Sequence, residues 1–87
     1  MRYTVVWDPK AEDELTELWN ESFARRQLTA AADAIDPTLK DDPGLKGTRI
    51  DDQKRELYIY PLRVMFKVKQ QDRQVEVLKI KLDLSAG

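Results

Sequence analysis

The chain contains neither cysteine nor histidine. No disulfide can form, which suits a reducing compartment. Zinc fingers, cysteine nucleophiles and serine–histidine triads are excluded as well. Any proton transfer must then use Asp, Glu, Lys, Tyr or water. Three glycines and four prolines in 87 residues exclude a collagen-like or low-complexity chain. No apolar run approaches the ~20 residues that span a bilayer. Met1 to Trp7 carries one Arg and then meets Asp8 and Pro9, so no signal-peptide core is expected. No carboxylate cluster has metal-ligand spacing, and neither a metal nor a cofactor is expected.

What is present fits one small domain spanning residues 1–87. Hydrophobic residues make up 41 % and charged residues 36 %, too apolar for a disordered chain. The net charge of −1 hides an asymmetry. Residues 1–45 hold five Lys/Arg and ten Asp/Glu, whereas residues 46–87 hold ten Lys/Arg and six Asp/Glu. An acidic front and a basic rear point to a polyanion for the second half, or to two solvated charged faces.

Arg2 to Trp7 alternates as a short strand. Asp8 then Pro9 is a helix start, with an N-cap side chain followed by proline at the first helical position. Ala11, Leu15, Leu18 and Trp19 share one helical face, and a second helix is expected from about Ser22. Leu28, Ala31, Ala32, Ile35 and Leu39 form its apolar face, with Pro37 expected to kink or end it. Lys40 to Lys54 has turn chemistry. Period-two alternation then runs through residues 56–60, 62–69 and 73–82, broken at Pro61 and at Gln70 to Asp72. The order strand–helix–helix–strand–strand–strand predicts an α+β domain, with a helical hairpin on one face of a mainly antiparallel four-stranded sheet.

Side-chain alternation sends Leu62, Val64, Phe66 and Val68 toward the helices and Arg63 and Lys67 away from them. A three-residue turn is expected, which would align Leu78, Ile80 and Leu82 with the core. It would leave Lys79 and Lys81 on the open face, with Val75, Val77 and Met65 among the cations. A two-residue turn would make the parities conflict. Arg49, Lys54 and Arg55 are expected to join this face from the adjoining loop. Such a face can hold phosphates, and Tyr58 and Tyr60 could stack bases. The alternative is a solvated face in which Arg63 pairs with Glu56 or a helix carboxylate.

Asp-Pro opening a helical hairpin, then Leu45-Lys46-Gly47, Lys54-Arg55-Glu56-Leu57 and Pro61-Leu62-Arg63-Val64-Met65-Phe66-Lys67-Val68, closed by the hairpin strand from Asp72 to Ile80, resembles the RelE/ParE superfamily of bacterial toxins. The resemblance spans about residues 2–82. It implies a RelE-like fold and a cytoplasmic toxin of a type II toxin–antitoxin module, held by a cognate antitoxin, with a homodimer or hetero-oligomer open. RelE-like members cleave mRNA on the ribosome, and ParE-like members inhibit DNA gyrase. For mRNA cleavage, the resemblance implies Arg63, Lys54, Arg55 and Lys81 as catalytic residues. Lys46, Arg49, Lys67 and Lys79 would bind phosphates. The family's C-terminal Arg and aromatic have no counterpart after Lys81. A gyrase inhibitor without chemistry of its own, or a non-toxic binding module, stands as the alternative. Tyr3 and Val5 on an edge strand, with Trp19 and Phe23 beside a groove between helix and sheet, are the expected antitoxin contacts; the plainer alternative, which the burial habits of tryptophan favour, is that Trp7 and Trp19 are core.

Overall fold

The computed structural model describes residues 2–84. The elements are β1 (Thr4–Trp7), α1 (Pro9–Glu21), α2 (Arg25–Lys40), a short 3-10 turn (Pro43–Leu45), β2 (Thr48–Arg49), β3 (Lys54–Ile59), β4 (Leu62–Lys69) and β5 (Gln74–Leu82). They form an α+β domain with strand order β1-β5-β4-β3-β2. All pairs are antiparallel except β1 on β5. The sheet has five strands rather than four, because Thr48 and Arg49 pair with Glu56 and Arg55 inside the expected loop. Among the described residues, no helix is long and apolar enough to cross a membrane.

Asp8 caps α1 as the sequence predicts, its side chain accepting from the Lys10 amide at 2.9 Å, with Pro9 following. The hairpin turn is tied by Ser22, whose hydroxyl accepts from the Ala24 amide. Arg25 donates to the Trp19 and Asn20 carbonyls at the end of α1. The expected break at Pro37 is not found, since α2 runs on to Lys40. Proline removes one helix hydrogen bond, but the last turn keeps Leu39 fully buried. The Lys40 carbonyl accepts from the Tyr3 amide at 2.8 Å.

Ala11 from α1 and Leu28, Ala31, Ile35 and Leu39 from α2 pack on Leu62, Val64, Phe66, Val75, Val77 and Ile80. Val75 and Val77 are therefore core residues, not members of the open face. The turn from β4 to β5 has four residues, 70–73, rather than the expected three, with Lys69 opposite Gln74 and Arg73 at positive φ. An even-numbered turn sends Val75 and Val77 inward beside Val68 and Phe66. That parity would carry Lys79 into the core. A β-bulge prevents this: Phe66 pairs with Val77 and Met65 with Lys79, leaving Leu78 as the extra residue. Beyond the bulge Ile80 is buried opposite Val64.

Gly47 (φ 65°) lies against β3, and a Cβ there would sit 2.2 Å from the Glu56 carbonyl oxygen. Only glycine allows the loop to approach β3 so closely.

Candidate functional site

The face of the sheet away from the helices carries Lys54, Glu56 and Tyr58 from β3. It also carries Arg63, Met65, Lys67 and Lys69 from β4, and Glu76, Lys79 and Lys81 from β5. Alternation within paired strands fixes this set. Lys54 lies opposite Lys67, and Arg63 opposite both Tyr58 and Lys81. Lys69 pairs with Glu76 at 3.5 Å. Among the described residues, Lys54, Lys67, Lys79 and Lys81 make no ion pair.

Arg63 is the most constrained cation on the face. Its Nη1 donates to Glu56 Oε1 at 3.1 Å and its Nε to Asp83 Oδ2. The guanidinium also lies 5.0 Å from the centre of the Tyr58 ring. Tyr58 in turn donates its hydroxyl to the Asp83 carbonyl at 2.8 Å and meets Tyr60 edge to face. The Asp83 hydrogen bond, against some desolvation, raises the guanidinium further above its ordinary pKa. Desolvation, followed by the Asp83 charge, raises the Tyr58 phenol. The centre thus holds one guanidinium, two carboxylates and a protonated phenol at neutral pH. A phosphate reaching Arg63 must compete with both carboxylates.

The residues expected to act together are divided between the two faces. Arg63, Lys54 and Lys81 share the open face with Lys67 and Lys79. Arg55 does not join them. It lies opposite Phe66 on the helix side and donates to the Lys46 and Gly47 carbonyls at 2.8 and 3.2 Å. Arg49, opposite Arg55, also leaves the open face and is held by Asp52 at 2.7 Å and by the Asp51 carbonyl. Lys46 ends the 3-10 turn, where its carbonyl serves Arg55. Asp51 accepts from the Gln53 and Lys54 amides, and those hydrogen bonds lower its pKa. This loop is a structural clamp on the start of β3. Among the described residues, no group of three or more carboxylates converges as a metal site would require.

Of the expected partner contacts, Tyr3 and Val5 pack inward on the core. Val5 lies on β1, which is an edge strand, and Tyr3 just precedes it; both side chains are half-buried. Trp19 is 41 % exposed under the Arg25 guanidinium, and Phe23 is fully exposed in the hairpin turn. The sequence reading missed Asp83. The signal was available, because Asp83 continues the every-second-residue row of Lys79 and Lys81 and so lands beside Arg63.

No family model matches the chain, and no curated protein matches it in sequence. Solved structures do match. The RelBE2 toxin–antitoxin complex from Mycobacterium tuberculosis aligns at TM-score 0.77 and 16 % identity, over 94 % of this chain and 92 % of that one. A chromosomal ParDE system from P. aeruginosa aligns at TM-score 0.68 and 17 % identity, over 94 % and 97 %. A mutant of the E. coli toxin RelE in the free state aligns at TM-score 0.69 and 19 % identity, over 100 % and 88 %. The fold is that of the RelE/ParE toxins.

Proposed function

We propose that this chain, having the RelE/ParE fold over nearly its whole length, is the toxin of a type II toxin–antitoxin pair in the cytoplasm of a bacterium. Its partner is a cognate antitoxin, and its basic sheet face meets the target. The observation that carries the toxin reading is the likeness in shape, which covers more than nine-tenths of this chain in complexes that include an antitoxin. The reading is further that it inhibits by binding, in the manner of a gyrase-directed ParE-like protein. The state of Arg63 supports this. Phosphodiester cleavage needs a cation available to the extra negative charge of the transition state. Here the guanidinium is already committed to Glu56 and Asp83.

One observation favours ribosome-dependent mRNA cleavage as a second reading. Glu56 is a carboxylate held 3.1 Å from Arg63, with Lys81 across the strand pair. A carboxylate can take the proton of a 2′-hydroxyl, and the two cations could share the phosphate. Lys54 and Lys81 would then assist, and Arg55 would stand apart.

The test is induction in a bacterial host with pulses of labelled thymidine and methionine, beside Arg63→Ala. Thymidine incorporation should fall first, with Arg63→Ala still inhibitory. Methionine falling first, with transcripts cut only when Arg63 is present, would establish the second reading instead. If neither pulse changes, the toxin reading fails and a non-toxic binding module of this fold remains.

A further inference from the structure

Besides its edge strands β1 and β2, the sheet has a further open edge that begins where β1 stops. β1 pairs with Gln74 to Val77 of β5 and ends at Trp7. β5 continues to Leu82, so residues 78–82 have β4 on one side and, among the described residues, no strand on the other. The hydrogen bonds show which groups point outward. The Asp83 amide donates back toward the β4 side, to the Pro61 carbonyl at 2.7 Å. The Ile80 amide points the other way and donates to Glu14 Oε1 at 3.0 Å. Alternation along an antiparallel strand then turns the Leu82 amide and carbonyl outward too.

Glu14 stands where the carbonyl of an added strand would otherwise stand. It satisfies one donor of the edge and leaves the Leu82 groups beyond it. The edge lies in a groove of about 440 Å³ lined by Glu14, Glu17, Leu18 and Glu21 of α1 and by Ile80, Lys81 and Leu82. Three carboxylates along one helix side face a floor of three aliphatic side chains. Lys81 belongs to the opposite face of the strand.

We propose that this edge docks an extended segment of another protein, added as a strand beside residues 78–82. Its helix-facing side chains are aliphatic and cationic. Backbone hydrogen bonds at Leu82 supply the strand pairing. Aliphatic groups settle on Leu18, Ile80 and Leu82, and Lys or Arg reaches Glu17 and Glu21. The proposal is independent of the toxin reading, because it rests on the unpaired length of β5 and the charge of α1.

The probe is a short capped peptide with threonine at alternate positions and valine and lysine between them. Binding is followed by backbone amide shifts of the labelled full chain. Saturable binding with the largest shifts at residues 78–82 is expected. The Leu82→Pro variant removes the outward amide without touching a β4 hydrogen bond, and proline is tolerated on a strand edge. It should weaken binding roughly tenfold, the scale of one lost hydrogen bond. Glu17→Lys combined with Glu21→Lys lies on exposed helix surface and should weaken binding at least as much. Unchanged spectra on adding peptide would overturn the proposal. So would equal affinity for Leu82→Pro, which would mean charge attraction to α1 alone. A free protein that sediments as a dimer and is dissociated by Leu82→Pro would place a second copy on the edge and overturn it as well.

Discussion

Arg63 is one positive charge between Glu56 and Asp83, so removing it leaves two half-buried carboxylates facing each other. Arg63→Ala should therefore destabilise the fold, and only modestly because the cluster is partly solvated. Chemical denaturation measures this, and addition of Asp83→Asn should restore part of the loss. Tyr58 responds to pH at the other extreme. Desolvation, and then the Asp83 charge, raises its pKa above the ordinary 10.0, so the folded state holds the phenolic proton more tightly than the unfolded chain. The resulting stability is fully present below 10.0 and is lost as pH rises through the raised value. Resonances of Tyr58 should titrate above those of a free tyrosine. Asp83→Asn should lower that midpoint without abolishing the shift, because burial is the larger cause. The Glu56 half of this centre is legible from strand alternation alone. The Asp83 half was not read, because the residue lies just past the last strand, where alternation is easily assumed to have stopped.

At the scale of elements, the bulge at Leu78 decides what faces what. Both hairpins and both helices follow from apolar spacing, the Asp8-Pro9 cap and the turn residues, all local signals. The bulge is not local: it reconciles a four-residue turn with a core that needs Val75 and Val77 on one side and Ile80 after them. The sequence of β5 alone supports either parity, since Val75 and Val77 compete with Leu78, Ile80 and Leu82 for the same face. Tertiary packing resolves the competition by using both sets in turn. Inserting a second residue beside Leu78 should then be far worse than truncating Leu78. The insertion adds a residue that the single bulge does not absorb and drives Lys79 toward the core side, where an unpaired charge is costly; cooperative thermal unfolding should be lost, whereas deleting Leu78 only straightens the strand, with Lys79 still opposite Met65 and outward, and should be tolerated. Leu78→Ala keeps the register and should retain a cooperative transition. The same non-local logic separated Arg55 from Arg63. The two residues look like neighbours in a basic set, but register puts them on opposite faces of the sheet.

Over the whole molecule the charge is layered. The two helices carry seven carboxylates and four cations. The open sheet face carries six cations, counted as Lys54, Arg63, Lys67, Lys69, Lys79 and Lys81, against the carboxylates of Glu56, Glu76 and Asp83. The domain is 20 Å across its shortest dimension. That thickness is about two Debye lengths near physiological ionic strength, where screening acts over ~8–10 Å. There the acidic helices barely oppose a polyanion on the sheet face. In dilute salt the screening length grows to about 30 Å, longer than the domain is thick, and the two layers partly cancel. Binding of a single-stranded oligonucleotide should therefore depend on salt in two regimes. Above about 0.1 M, the logarithm of affinity should fall linearly with the logarithm of salt, by about 0.7 per phosphate contacted. Lys54→Gln with Lys79→Gln should reduce that slope by about 1.4 if each lysine meets one phosphate. Towards 0.01 M the plot should flatten. Neutralising α1 with Glu12→Gln and Asp13→Asn should raise affinity there and leave the high-salt line where it was. A salt titration of fluorescence anisotropy on these three proteins checks each part. A helix-side effect as large at high salt as at low salt would mean that the oligonucleotide sits on the helices and not on the sheet.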